Sequence, residues 1–209
     1  MSVQVKQNYT LAEYFELERT SEERWEYFNG EVFCMSGASR NHGEIEINLI
    51  ATLDPKLRER GGRVYPANIR VKVPVAPPYR YPDLTALCDE PIFEQIGGVD
   101  ALTNPTVLIE ILSPSTEAYD RGDQFTYYKS IPSFQEYLLV AQHRPHITHY
   151  VRQAGEKWEY EEVNDPSASI SLPNIECTLA LGEVYRNVES SPPRSRTQNR
   201  DQPNIVERP

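Results

Sequence analysis

Pro105-Thr106-Val107-Leu108-Ile109-Glu110-Ile111-Leu112-Ser113-Pro114 is the stretch that decides the fold. Aliphatic and β-branched residues run unbroken between two prolines, which reads as a short strand buried on both faces. One residue breaks the pattern. An ionised Glu110 inside such a strand is costly unless a metal, a cation or hydrogen bonds compensate it. Upstream, Tyr81-Pro82-Asp83 opens a second apolar run, Leu84-Thr85-Ala86-Leu87-Cys88, the pattern of a neighbouring strand. Two carboxylates converging from adjacent strands would make an oxygen-rich site for a hard cation such as magnesium. That is the skeleton of a metal-dependent phosphodiesterase. A plainer reading stands beside each acid: Asp83 as a turn residue after Pro82, Glu110 as the partner of a buried Arg.

Working outward, Thr10-Leu11-Ala12-Glu13 has the form of a capping box and starts a helix that runs to about Glu18. Asn29-Gly30 joins two short strands, Arg24 to Phe28 and Glu31 to Met35, as a hairpin. Ile45, Leu49 and Leu53 mark one face of a helix from about Asn41 to Arg60, with Pro55 placed to kink or break it and Gly61-Gly62 to stop it. Further strands are expected at 63–65, 69–73, 82–88 and 106–112, with Pro77-Pro78 and Gly97-Gly98 as turns between them. A helix is expected after Ser115-Thr116-Glu117, running to about Ser130, then strands at 135–141, 147–152 and 157–163. The last of these alternate as antiparallel strands with one wet face do. Strands with interspersed helices, without strict βα alternation, indicate an α/β mixed sheet.

The 209 residues suit one domain over 1–188, followed by a polar tail over 189–209 whose composition is that of a disordered segment. No apolar run approaches the roughly 20 residues that span a bilayer, and no secretory signal stands at the start. Cys34, Cys88 and Cys177 are odd in number and lack metal-ligand spacing, so core filling in the cytoplasm is expected. A net charge of −10 argues against a generic nucleic-acid coat protein, although a nuclease depends on its local field. The one basic stretch, Lys56, Arg58, Arg60, Arg63, Arg70 and Lys72, is either a solvated helix end or an edge that contacts phosphates.

Asn29-Gly30-Glu31, Tyr81-Pro82-Asp83, Glu110-Ile111-Leu112-Ser113-Pro114-Ser115-Thr116, Asp120-Arg121-Gly122-Asp123 and Gln135-Glu136-Tyr137-Leu138-Leu139-Val140 together resemble the Uma-type restriction endonuclease family. That family lies within the PD-(D/E)XK, restriction-endonuclease-like nucleases, and the resemblance covers about residues 9 to 186. It implies a mixed β-sheet flanked by helices, with additional antiparallel strands. It also implies a Mg2+- or Mn2+-dependent endonuclease that cleaves DNA, with a homodimer as the expected assembly. By the same resemblance Asp83 and Glu110 bind the metal, with the carbonyl of Ile111 a further candidate. The general pattern places a lysine two residues after the Glu, where this chain has Leu112. The narrower family places it four residues after an Asp on the following helix, where this chain has Gln124. Gln can orient a water but brings no positive charge. Arg121, within about 60° of Gln124 around an α-helix, is a candidate to supply one. Lys129, about 140° away, is not.

Three accessory candidates complete the set. Asp120 either caps its helix or orients Gln124 or Arg121. His42, which matches a family position, either binds phosphate, holds a ligand or is structural, and Glu31 is a further carboxylate for the site. Ser113 lacks His and Asp partners for nucleophilic catalysis. Pro145 and the strand pattern argue against a metal cluster of His143, His146 and His149. Two other functions compete with the nuclease. One is a nucleic-acid-binding protein on the same fold, impaired by Leu112 and Gln124. The other is a metal-free hydrolase with Asp83 and Glu110 as an acid and base pair, which would survive a chelator.

Overall fold

The computed structural model describes residues 8–190, apart from 29, 35, 36 and 77. Asn29 and Met35 of the expected hairpin, and nearly all of the expected tail, therefore lie outside the described residues.

The core is a six-stranded sheet. Along the chain its members are β3 (Arg63–Pro66), β5 (Leu84–Leu87), β8 (Val107–Leu112), β9 (Glu136–Ala141), β10 (Ile147–Arg152) and β11 (Trp158–Val163). They lie side by side in the order β11-β10-β9-β8-β5-β3. Only β8 and β9 run parallel; the other neighbours are antiparallel. A parallel pair needs a crossover, and here it is a helical stretch made of α3 (Glu117–Tyr119), a π-turn (Asp120–Gln124) and α4 (Phe125–Tyr128). All six residues of β8 are buried, as its composition requires.

Period-two alternation sorts β8 between two cores. Val107, Ile109 and Ile111 join Leu84 and Ala86 on one face, under the fully buried stripe Ile45, Leu49, Leu53 and Leu57 of α2 (Arg40–Arg58). Leu108 and Leu112 turn to the other face with Leu87, Phe125, Tyr128 and Tyr137. Glu110 shares that second face by parity, under the crossover.

Helix α1 (Leu11–Thr20) has its capping box, with Thr10 and Glu13 bonding each other's backbone. It packs with the hairpin β1 (Trp25–Phe28) and β2 (Glu31–Cys34) through Tyr14, Trp25 and Val32. Helix α2 continues through Pro55 to Arg58 without a break, because its stripe stays buried on both sides of the proline. The strand expected at 69–73 shrinks to β4 (Arg70–Val71). It lies in a small sheet with β6 (Phe93–Ile96) and β7 (Val99–Leu102), a hairpin turning at Gly97-Gly98. Beyond β11, β12 (Ser169–Leu172), β13 (Cys177–Ala180) and α5 (Leu181–Val184) cover the α2 side of the core. Among the described residues no helix is long and apolar enough to cross a membrane.

Two glycines test this packing in opposite directions. A Cβ on Gly62 would stand 2.4 Å from the Leu87 carbonyl oxygen and 3.0 Å from the Cys88 Cα, both backbone atoms of the β5 edge. Gly62→Ala is expected to cost about 1–3 kcal/mol. Gly43, in the first turns of α2, meets nothing within 4 Å. Gly43→Ala is expected to stabilise by about 0.5–1 kcal/mol. Urea denaturation of both variants checks the pair, and equal effects would contradict the packing described.

Candidate active site

The register of β5 on β8 brings the two acids together. Leu84 pairs with Ile109, so one step further out Asp83 faces Glu110. Each carboxylate is then held by the other residue's strand. The Asp83 N–H donates to Glu110 Oε2 at 3.2 Å, and the Ile111 N–H donates to Asp83 Oδ2 at 2.7 Å. A strand residue's N–H and C=O point to the same edge, so the Ile111 carbonyl also lies on the Asp83 side of β8.

Side chains from both flanking helices close the site. Ser39 caps α2 by accepting from the His42 N–H, which puts His42 in the first turn. Its Nε2 lies 3.1 Å from Asp83 Oδ1. Burial opposes a charge on His42, but the hydrogen bond to Asp83, that acid's charge and Glu46 outweigh it and raise the imidazole's pKa. From the crossover, the Tyr128 hydroxyl donates to Glu110 Oε1 at 2.7 Å and accepts from Gln124 Nε2 at 2.6 Å. Asp120 is 6 % exposed, and the carbonyl of its π-turn residue accepts from the Tyr137 hydroxyl of β9 at 3.1 Å. Bulges of this kind are frequent at functional sites.

Negative charge accumulates here. Burial, then Asp83 and Asp120, push the carboxyl of Glu110 well above the usual range, against hydrogen bonds from Tyr128 and the Asp83 backbone. Burial, then Asp83 and Glu26, raise Asp120 to about 7 despite a hydrogen bond with Thr116. Two other buried acids show how the molecule otherwise handles such charges. Glu18 meets Arg70 at 2.9 Å, and Glu136 meets His149 at 2.6 Å. Among the described residues no Lys or Arg pairs with Glu110 or Asp120.

A family model described as "Uma2: Putative restriction endonuclease" matches residues 11–182. This chain belongs to the Uma2 family. Two uncharacterized proteins of Synechocystis are similar to it. One is 31% identical over 163 residues, covering 78% of this chain and 92% of the relative. The other is 30% identical over 179 residues, covering 84% and 90%. The fold is that of a crystal structure described as a "putative nuclease belonging to DUF820" from Anabaena variabilis. The TM-score is 0.67 at 19% identity, over 85% of this chain and 97% of that one. Membership of Uma2 supports a nuclease as the general class of activity.

Within this Uma2 chain, Asp83, Glu110, His42, Asp120 and Gln124 stand in one neighbourhood. Arg121 turns elsewhere: its guanidinium meets Glu117 at 2.9 Å and Thr148 at 3.3 Å. The 60° estimate assumed an α-helix, and the wider π-turn changes the angle. Lys129 lies over the Phe125 ring. Glu31 stands opposite Phe28 at the turn end of the hairpin. His146 bonds Asn164 while His149 bonds Glu136, so the histidines do not cluster.

Four participants were missed by sequence. Tyr128 carried a signal, four residues after Gln124, but reads equally well as core. Glu46 stands one turn beyond His42, and burial raises its carboxyl while His42 and Arg24 oppose the rise. Glu26 of β1 accepts from the Tyr81 N–H at 3.3 Å, and its carboxyl is raised by burial against the charge of Arg80. Arg80 is buried, its guanidinium 5.9 and 5.8 Å from the Phe28 and Tyr127 ring centroids. Arg80 stands three residues before Asp83, but nothing in that short segment signals that it turns inward, and no local pattern places Glu26 near Asp83.

The raised pKa of Asp120 makes stability depend on pH. An acid whose pKa rises on folding stabilises fully below its ordinary value, near 3.8, and that stability is lost as pH rises through about 7. Asp120→Asn, which stays neutral, is expected to flatten the profile between about pH 4 and 8. It should gain roughly 1–3 kcal/mol over the parent at about pH 8 in EDTA. Urea denaturation at about pH 5 and pH 8 checks this; parallel profiles for the two proteins would contradict it.

Proposed function

We propose that this Uma2 protein is a metal-dependent endonuclease that hydrolyses DNA phosphodiester bonds, with Asp83 and Glu110 holding Mg2+ or Mn2+. The observation that carries the reading is the reciprocal locking of two carboxylates where the start of β5 meets β8 inside the sheet, with no Lys or Arg among the described residues paired to either acid. Glu110 Oε1 accepts from both Tyr128 and Gln124, whereas Glu110 Oε2 and Asp83 Oδ2 each accept one backbone bond and Asp83 Oδ1 faces His42, so these three oxygens keep a spare lone pair. The donor set fits. Among the described residues no group of three or more His, Cys, Asp or Glu side chains is placed to hold a metal ion, so the protein's share of the ligands is small. Mg2+ characteristically takes one or two carboxylates and keeps several waters, and the Ile111 carbonyl adds a third protein oxygen.

When bound, such a cation lowers the pKa of a water and offsets charge on the scissile phosphate. The protein's own part is positional. The Asp83 and Ile111 backbone amides fix the two carboxylates, Tyr128 prevents Glu110 from rotating away, and His42 orients Asp83. Burial strengthens each of these electrostatic contacts.

A second reading has its own support. Gln124 Nε2 is engaged by Tyr128 and by Glu110 at 3.5 Å, so the lysine position brings no cation to the phosphate. On that reading the protein binds nucleic acid with cleavage impaired.

Plasmid and single-stranded DNA incubated with Mg2+, Mn2+ or EDTA separate the two. Expected is metal-dependent cutting, abolished by EDTA and reduced at least ~100-fold in Asp83→Ala and Glu110→Ala. DNA binding without cutting under any metal would favour the impaired reading. Cutting that survives EDTA would overturn the metal site.

A further inference from the structure

The carboxamide of Gln124 is only 3 % exposed, and its two ends are treated differently. The nitrogen is fully used, by the Tyr128 hydroxyl at 2.6 Å and Glu110 Oε1 at 3.5 Å. The oxygen is buried and has no hydrogen-bond partner. The network fixes which end is which. Tyr128 gives its one proton to Glu110, so it can only accept from Gln124. Turning the amide over would press its oxygen against the Glu110 carboxylate. A buried acceptor left unpaired is costly and rare, and this one stands beside the least compensated acids of the molecule. A neutral amide oxygen is a ligand that Mg2+, Mn2+ and Ca2+ accept readily alongside carboxylates.

We infer that Gln124 lends its side-chain oxygen to the cation held by Asp83 and Glu110, so that this position serves as a ligand where the related pattern has a lysine. The inference rests on the metal reading above. It assigns the two ends of one side chain separate tasks: the amide nitrogen steadies Tyr128 and through it Glu110, and the oxygen faces the ion. An ammonium at this position would instead repel the ion.

Calorimetric titration of the full chain with MgCl2 and with MnCl2 tests this without reference to cleavage. Gln124→Leu is expected to raise Kd about tenfold or more, and Gln124→Lys to raise it further. Gln124→Glu, which keeps an oxygen but loses the donor to Tyr128, is expected to bind as tightly as the parent or more tightly. Tyr128→Phe, which keeps the Gln124 oxygen, is expected to weaken binding less than Gln124→Leu. If Gln124→Glu weakens binding as much as Gln124→Leu, or Tyr128→Phe matches it, Gln124 acts only through Tyr128 and the inference fails. Binding that Asp83→Ala abolishes but Gln124→Leu leaves within about twofold overturns the ligand role and spares the metal site. Absence of binding by the parent protein overturns both. Circular dichroism accompanies each titration, and Gln124→Glu carries the test should Gln124→Leu not fold.

Discussion

Everything at the site depends on the register of β5 against β8. Asp83 faces Glu110 because Leu84 faces Ile109, and that pairing is set on the opposite face of the sheet, where Leu84, Ala86, Val107 and Ile109 lie under the α2 stripe. A slip of one residue would turn Asp83 under the apolar stripe of α2 and expose aliphatic side chains to the acids. The apolar core therefore positions the polar chemistry, although the two share no side chains. The crossover between β8 and β9 adds the second constraint. A parallel pair must be bridged over one face, and the bridge delivers Asp120, Gln124 and Tyr128 to the face that Glu110 occupies.

Charge is distributed by the same logic. Glu18 is buried with Arg70, the Trp25 N–H and the Tyr81 hydroxyl around it. Glu136 is buried between His149 and the Asn174 N–H. Both are closed units in which the buried carboxylate finds its hydrogen-bond donors. Glu110 receives hydrogen bonds from a tyrosine and a backbone amide and meets further acids beyond them. A structural role would favour the first arrangement. The second suits a site completed by something the chain does not itself contain.

The central strands were legible because burial on both faces leaves an uninterrupted apolar run, as in β8, and because the proline-bounded Glu110 is conspicuous inside it. Helix α2 announced itself through Ile45, Leu49 and Leu53. The hairpin β6–β7 did not: Phe93, Glu94, Gln95 and Ile96 are mostly exposed, so neither an apolar run nor alternation marks them. The strands β12 and β13 are four residues each and take their stability from packing on α2, a non-local cause. At the site, residues spaced along one element were found or findable. Glu26 comes from β1, a segment joined to Arg80 and Asp83 only by the tertiary fold, and short-range patterns carry no information about such meetings. Arg121 was read toward the site because its helix was taken as regular.

That irregular turn has an evolutionary corollary. A π-turn holds one more residue than the α-helical turn it replaces, so the stretch Asp120–Gln124 behaves as an insertion accommodated without breaking the helix. Losing any one of its residues would restore regular winding and swing everything downstream, Tyr128 included, around the helix axis by about 100°. A one-for-one substitution in this turn therefore leaves the elements where they stand, whereas a change in length by a single residue would dismantle the site and leave the sheet beneath it standing.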